Sequence, residues 1–205
     1  RVLREVRVVV QRRTGREPLL RRSLVDVVPR IAGLEPRPRI AMTTNGIGLD
    51  RLAAPLAAAG LDRVNVSLDT VDPEHFAGLT RRDRFNDVVA GLKAASDAGL
   101  TPVKVNAVAM RGVNDANVPD LLRWCLDRGY DLRFIEQMPL DAQHAWDRSR
   151  MVSQAEILER LGERFVDLGL PAGQGDGHRR TADVAQLLLL GLGDGGLLRL
   201  VQPLA

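Results

Sequence analysis

A regular alternation of short apolar strands and amphipathic helices runs from the start of the sequence to about residue 165. Segments rich in Val and Ile recur at intervals of roughly 25–40 residues, which is the length of a strand–helix–strand unit. This composition is typical of parallel strands that are buried on both faces. The predicted strands are Val6–Val10, Arg39–Met42, Arg63–Leu68, Val103–Ala109 and Leu132–Ile135.

The segments between these strands carry the signals of helix ends. Asp72-Pro73-Glu74 predicts the N-cap and first turn of a short helix, and Ser153 with Glu156 predicts a capping box. Pro29 is expected to kink or shorten the first helix. The longer predicted helices are Leu19–Ile31, Leu49–Ala59, Phe85–Ala98, Val118–Arg128 and Ser153–Leu161. A glycine, the usual residue after a helix C-terminus, follows the second, third and fourth of them.

Alternating strands and helices predict an α/β fold with a parallel sheet covered by helices. An open doubly wound sheet and a (β/α) barrel both satisfy this pattern, and the pattern alone does not choose between them. We expect residues 1–165 to form one domain. Residues 166–205 are a Gly- and Leu-rich tail of uncertain structure, in which Thr181–Leu190 is predicted as a helix.

The 205 residues carry a formal net charge of +3, and the excess comes from Arg rather than Lys. This charge suits an anionic partner, and a solvated basic surface explains it about as well. Aromatic residues make up 3% of the sequence, which argues against binding of single-stranded nucleic acid by base stacking. On charge alone a nucleotide would fit, and so would a nucleic acid.

Cysteine content and hydropathy indicate the compartment. Cys125 is the one cysteine, so no internal disulfide can form and a reducing cytoplasm is expected. No segment reaches the roughly 18 apolar residues of a membrane span, so no membrane association is expected. The first residue is Arg1 rather than Met, and we expect the natural N-terminus to lie upstream or to have been removed.

Polar clusters interrupt the pattern at or after the predicted strands. In parallel α/β folds, binding sites form at the carboxyl ends of the strands. Each cluster alone is explained by a loop start or a helix cap, but five of them together predict a lined cleft. The clusters are Arg12–Pro18, Thr43–Gly46, Ser67–Asp69, Lys104–Asn106 and Glu136–Met138.

The chemistry of these clusters suits an anionic, partly aromatic small molecule. Arg12 and Lys104 offer charge-assisted hydrogen bonds to phosphate or carboxylate. The hydroxyls of Thr43 and Ser67 donate or accept, and Met138 is a soft apolar contact for a purine or a thioether. No phosphate-binding G-x-x-x-x-G-K-[ST] segment and no metal-spaced His/Cys cluster is present in the sequence.

Six motifs, in order and at matching spacing over about residues 1–165, resemble the GTP 3′,8-cyclase family of radical SAM enzymes. Thr14-Gly15-Arg16-Glu17-Pro18 is similar to the T-G-G-E-P segment of that family. The other five matching segments are Thr43–Gly46 (TTNG), Asn65–Asp69 (NVSLD), Lys104–Asn106 (KVN), Gly112–Asp115 (GVND) and Arg133–Met138 (RFIEQM).

The resemblance implies a partial (β/α) barrel of the radical SAM type that lacks the first β/α unit. It also implies that Arg12, Thr43 and Lys104 contact GTP. S-adenosylmethionine is then expected to lie against Ser67, Met138 and the position of Arg16, which replaces the second glycine of T-G-G-E-P. That side chain is expected to obstruct the methionine end of the cofactor.

The cysteines of the family's cofactor sites are missing from this sequence. The resemblance implies a C-x-x-x-C-x-x-C loop before Arg1 and a second cysteine set after about residue 180, and the sequence contains neither. A [4Fe–4S] cluster is held by cysteine thiolates, and Cys125 alone is expected to be a buried structural residue. We therefore expect the chain to bind no cluster and to be inactive by itself. A cluster-free nucleotide-binding module or pseudoenzyme is the alternative, and a nucleic-acid binder is the least favoured.

Overall fold

The computed structural model describes residues 7–10, 17–135, 148–164 and 197–200. In these ranges the strands are β1 (Arg7–Val10), β2 (Arg39–Thr44), β3 (Arg63–Ser67), β4 (Lys104–Ala107), β5 (Asp131–Ile135) and β6 (Leu197–Leu200). The α-helices are α1 (Leu24–Ala32), α2 (Leu49–Ala58), α3 (Pro73–Thr80), α4 (Phe85–Asp97), α5 (Val118–Leu126) and α6 (Gln154–Arg164). Short 3₁₀ turns lie at Pro18–Leu20, Asp115–Asn117 and Arg148–Arg150.

The chain divides into two units, the first of which comprises residues 1–68 and 82–105. In this unit β1 pairs with β2 and β2 pairs with β3, and both pairs are parallel. β4 begins in the same unit and neighbours β3 in the sheet. The prediction of a parallel sheet with strands in chain order is therefore confirmed for β1 to β3.

The two faces of β2 and β3 differ in polarity because side chains of a strand alternate between its faces. On β3, Val64 and Val66 are fully buried, while Asn65 is half-buried and Ser67 is exposed. The helices α2 and α4 pack against each other in this unit and bury residues such as Leu49, Leu56 and Leu92. Burial of such side chains is the main stabilising contribution to the unit, and the other face of β3 is left polar.

The predicted helix ends agree closely with the structure, except in the first helix. The carboxylate of Asp72 caps α3, with its Oδ1 atom accepting from the N–H groups of Glu74 (2.8 Å) and His75 (2.9 Å). The predicted helix Leu19–Ile31 is split, because a 3₁₀ turn ends at Leu20 and α1 begins only at Leu24. Pro29 lies inside α1, which continues to Ala32, so Pro29 does not end the helix, and the expected kink stays a prediction.

The second unit comprises residues 69–81 and 106–205. It contains α3, α5, β5, α6 and β6, and β5 pairs antiparallel with β6. β6 belongs to the tail for which the sequence predicts no strand, because its Leu-Leu-Arg-Leu segment lacks a clear strand period. The helix predicted at Thr181–Leu190 lies outside the described residues.

The start of α6 is held by the predicted capping box. Glu156 accepts from the backbone N–H and the hydroxyl of Ser153, both at 2.8 Å, and the Ser153 hydroxyl accepts from the N–H of Glu156 at 3.3 Å. Arg111 adds an ion pair to Glu156 at 2.6 Å and donates to the carbonyls of Ser149 and Met151, each at 3.1 Å. The chain before α6 is thus fixed to the turn at Arg111.

These contacts give the stability of the second unit a dependence on pH. The backbone hydrogen bond from Ser153, and then the hydrogen bonds from Arg111 and the Ser153 hydroxyl, lower the pKa of Glu156 from its ordinary value to about 2. A carboxyl whose pKa is depressed on folding stabilises the fold above its unfolded pKa, and that stabilisation is lost as pH falls through the folded pKa. We expect Glu156→Gln to lower the urea midpoint at neutral pH.

The difference between Glu156→Gln and the unsubstituted chain should shrink as the pH falls from about 4.5 toward about 2. Urea unfolding over this pH range measures it. The exposed Glu159→Gln on the same helix is the matched control and should change the midpoint little. A Glu156→Gln midpoint equal to that of the unsubstituted chain at neutral pH would contradict this account.

Candidate functional site

The polar face of the first unit is built where β2 and β3 end. Thr43 and Asn65 lie directly opposite each other in the parallel register of these strands. The side-chain Nδ2 of Asn65 donates to Oγ1 of Thr43 at 3.2 Å. Ser67, two residues further along β3, is exposed on the same side of that strand. Three polar side chains therefore share one face near the ends of adjacent strands.

The turn after β2 is fixed by Glu17. Its carboxylate accepts from the hydroxyl of Thr44, and its Oε2 atom accepts from the N–H of Asn45 at 2.9 Å. Oγ1 of Thr44 in turn accepts from the N–H of Gly46 at 3.0 Å. Since Thr44 is almost fully buried, these bonds satisfy a polar group that would be costly to leave unpaired. Glu17, the N-cap of the 3₁₀ turn Pro18–Leu20, thereby ties that turn to the TTNG turn.

Close packing of α4 against this turn requires glycine on both sides. Gly46 has a φ of +82°, a conformation that favours glycine, and a Cβ there would lie 2.9 Å from Val66 Cγ1. A Cβ on Gly91 of α4 would lie 2.4 Å from the carbonyl oxygen of Gly46 and 3.1 Å from Cβ of Leu49. The position of the turn therefore depends on the absence of a side chain at Gly91.

Lys104 is the first residue of β4 and is only 3% exposed. The sequence predicts this strand as Val103–Ala109, which includes the polar cluster Lys104–Asn106, and the observed strand is shorter, from Lys104 to Ala107. A buried ammonium is strongly disfavoured unless opposite charge or hydrogen-bond acceptors compensate it. Lys104 has an interaction partner within the chain, and an ammonium with three donors can in addition donate a charge-assisted hydrogen bond to an anion.

In the second unit, Asp69 and Asn114 form a network of backbone contacts. Oδ1 of Asp69 accepts from the N–H of Val108 at 2.8 Å. The side chain of Asn114 donates to the carbonyls of Asp69 (2.8 Å) and Val108 (2.9 Å), and its Oδ1 accepts from the N–H of Met110 (2.7 Å). Burial raises the pKa of Asp69, and the bond from Val108 partly opposes that effect. The GVND segment that contains Asn114 therefore holds backbone in place.

The structure describes three of the six predicted site residues. Thr43, Ser67 and Lys104 all belong to the first unit, on the neighbouring strands β2, β3 and β4. The other three, Arg12, Arg16 and Met138, lie outside the described residues. Their roles stay predictions.

Two residues that make hydrogen bonds in this site, Asn65 and Glu17, are not among the site residues predicted from the sequence. Asn65 stands between Val64 and Val66, and such alternation is the signal of a polar side chain on the opposite face of a strand. Glu17 is 27 residues from Thr44 in the chain, so its contact is not visible in one sequence.

Comparison with known proteins defines the class. Residues 2–125 match the Radical SAM superfamily, so the chain belongs to that superfamily. It is similar to the GTP 3',8-cyclase of Streptomyces coelicolor, with 63% identity over 152 residues, which are 74% of this chain and 45% of the relative. The GTP 3',8-cyclase of Paenarthrobacter nicotinovorans is 52% identical over 178 residues, which are 83% of this chain and 50% of the relative. The chain thus spans about half the length of the curated relatives it matches.

Solved structures show the same fold at low sequence identity. A structure of TYW1 with a lysine-pyruvate adduct bound gives a TM-score of 0.63 at 13% identity and covers 95% of this chain and 56% of that one. Coproporphyrinogen III oxidase (HemN) from Escherichia coli, a radical SAM enzyme, gives 0.53 at 15% identity and covers 82% of this chain and 43% of that one. The α/β fold of the radical SAM partial-barrel type predicted from the sequence is confirmed.

Radical SAM proteins use S-adenosylmethionine and a [4Fe–4S] cluster. The exposed hydroxyl of Ser67 fits a polar contact with S-adenosylmethionine. The residues of this chain do not fit the [4Fe–4S] cluster, because the sequence contains one cysteine and the cluster needs several cysteine thiolates. Cys125 is fully buried on α5, and burial raises its pKa far above the ordinary value, which keeps the thiol protonated. Among the described residues, no group of three or more His, Cys, Asp or Glu side chains is placed to hold a metal.

In the part of the chain that the structure describes, no helix is long and apolar enough to cross a bilayer.

Proposed function

We propose that this chain provides the nucleotide-binding face of a GTP 3',8-cyclase. The observation that carries the proposal is the polar face of β2 and β3, where Thr43 and Asn65 are bonded across the strands beside a turn held by Glu17. The hydrophobic core does not need polar side chains on this face of the sheet. A site for a polar ligand does need them. The similarity to GTP 3',8-cyclases supports GTP as that ligand.

The proposed residue roles follow the matching motifs. GTP is bound by Arg12, Thr43 and Lys104. The positive charges of Arg12 and Lys104 neutralise phosphate charge, and the Thr43 hydroxyl fixes the orientation of the nucleotide. Ser67 and Met138 contact S-adenosylmethionine. Arg16 stands at the methionine end of that cofactor, where its guanidinium obstructs binding and repels the cofactor's positive groups.

A complete GTP 3',8-cyclase, on this proposal, is a lyase that converts GTP to 3′,8-cyclo-7,8-dihydroguanosine triphosphate, a precursor of molybdopterin. In such an enzyme, bound S-adenosylmethionine would supply radical chemistry, and Ser67 and Met138 would be the residues of this chain that hold it. The residues of this chain hold and orient the substrate. The reducing cytoplasm is the compartment proposed for it, and nucleic acid and membrane are not proposed as partners.

By itself the 205-residue chain is proposed to be inactive. After anaerobic reconstitution with iron and sulfide, we expect no iron–sulfur absorbance, because the chain has one buried cysteine. With S-adenosylmethionine and a strong reductant, we expect no 5′-deoxyadenosine above a control without protein. Cys125→Ala should behave identically. Formation of 5′-deoxyadenosine that depends on the protein would overturn the proposal of an inactive chain.

A cluster-free nucleotide-binding module is the second candidate. The intact bonding of Glu17 to the turn at Thr44 and Asn45 favours it, because this turn is formed without any cluster residue. The two candidates differ in what happens when the cysteine-bearing segments of a relative are fused to the chain. In a fusion that also carries Arg16→Gly, recovered cleavage of S-adenosylmethionine supports the enzyme, and GTP binding without any recovered cleavage supports the module.

A further inference from the structure

The side-chain oxygen of Asn65 is a buried atom on the polar face that lacks a hydrogen-bond partner. It is buried, and among the residues that the structure describes none donates to it. A buried acceptor left unsatisfied typically costs about 1–3 kcal/mol. Native structures rarely keep such a group unless a ligand or another group completes it. The oxygen of Asn65 is therefore a candidate ligand contact.

The other end of the same amide determines what Thr43 can do. Nδ2 of Asn65 donates to Oγ1 of Thr43 at 3.2 Å, and the two residues are paired across the strands. Since Oγ1 accepts this bond, the hydroxyl proton of Thr43 points to some other acceptor. Asn65 thus makes Thr43 a donor and itself presents an acceptor beside it.

Neighbouring polar groups of the turn are already engaged with one another. The Thr44 hydroxyl donates to Glu17, and Oγ1 of Thr44 accepts from Gly46. The side-chain oxygen of Asn45 accepts from the N–H of Ile47 at 3.0 Å. On the paired residues Thr43 and Asn65, the hydroxyl proton of Thr43 and the buried oxygen of Asn65 form an adjacent donor and acceptor for a ligand.

We propose that Asn65 is a specificity-determining residue that reads the nucleoside part of the bound nucleotide. Its oxygen accepts from a ligand O–H or N–H, while Thr43 donates to an adjacent ligand acceptor. Ionised phosphate oxygens only accept, so they do not satisfy the Asn65 oxygen. A ribose hydroxyl pair and the guanine edge each present a donor next to an acceptor. This inference rests on the proposed GTP binding.

Asn65→Leu tests the inference because it removes both polar atoms with little change in volume. We expect the GTP dissociation constant to rise about tenfold, the size of one lost hydrogen bond to a ligand. The thermal midpoint should stay equal or rise, because an unsatisfied buried group is also removed. Affinity for inorganic tripolyphosphate should not change. Thr43→Val combined with Asn65→Leu should lose less affinity than the sum of the single changes.

Two nucleotide analogues, 2′-deoxyGTP and ATP, identify which group of GTP Asn65 recognises. Loss of discrimination between GTP and 2′-deoxyGTP in Asn65→Leu identifies the ribose, and loss of discrimination between GTP and ATP identifies the base. An equal loss of affinity for tripolyphosphate, or an unchanged GTP affinity in Asn65→Leu, overturns the inference while leaving GTP binding intact. Failure of the unsubstituted chain to bind GTP overturns the proposed function, and the inference with it.

Discussion

Gly91→Ala is expected to lower the thermal midpoint of the chain by about 4–8 °C, corresponding to about 2 kcal/mol for a chain of this size. The added methyl group would lie 2.4 Å from the carbonyl oxygen of Gly46 and 3.1 Å from Cβ of Leu49. Because the first of these atoms is backbone, α4 or the turn has to move. Ala favours helix over Gly by about 1 kcal/mol, but this gain is smaller than the cost of the clash.

Gly78→Ala on α3 is the matched control, because a Cβ there meets no atom within 4 Å. The same substitution should raise the midpoint slightly there, through helix propensity alone. Circular dichroism melting of the three proteins measures both effects. We also expect Gly91→Ala to weaken GTP binding, since the displaced turn contains the residues next to Thr43. An equal or raised midpoint for Gly91→Ala would show that the packing of α4 on the turn is wrongly described.

Lys104→Met is expected to raise the GTP dissociation constant about 10- to 100-fold. Hydrogen bonds to a charged group are typically worth about 1.5–3 kcal/mol, and each 1.4 kcal/mol is a factor of ten in affinity. Methionine retains most of the volume of lysine at a position that is 3% exposed, so the fold should persist. Lys104 has an interaction partner within the chain, and removing one member of a buried pair is destabilising, so we expect a lower thermal midpoint, which is measured separately from affinity.

Lys93→Met provides the control for charge. Lys93 and Lys104 are the two lysines of the sequence, and Lys93 lies on α4 with its side chain 74% exposed in an ion pair with Asp97. Both substitutions remove one positive charge, so a general electrostatic effect would weaken binding equally. We expect the Lys93→Met affinity to match that of the unsubstituted chain. Equal GTP affinities for Lys104→Met and Lys93→Met would remove Lys104 from the site.

The strands and most helix ends were predictable because local composition determines them. Val and Ile mark buried strands, and Asp72 and Ser153 are capping residues whose contacts lie within three positions in the chain. β2 extends two residues beyond its predicted end, to Thr44, because its last polar residues resemble the start of a loop. β6 was not predictable, since its pairing with β5 is a contact over more than 60 residues of chain.

The candidate site was predictable only in its residue types. Thr43, Ser67 and Lys104 stand out because polar side chains follow apolar runs, and the structure places them on neighbouring strands. The register of β2 against β3 decides that Thr43 meets Asn65, and one sequence does not specify that register. The hydrogen bond between Glu17 and the turn was not predictable for a similar reason, because it joins segments that are distant in the chain.

The most direct test of the central claim, that this chain binds GTP on the polar face of the first unit, is calorimetric titration of GTP into the unsubstituted 205-residue chain. We expect saturable binding with one site per chain. It should be weakened by Lys104→Met and Asn65→Leu, unaffected by Lys93→Met, and stronger than binding of a single-stranded RNA of equal charge. No heat of binding with GTP, or tighter binding of the RNA, would contradict the account.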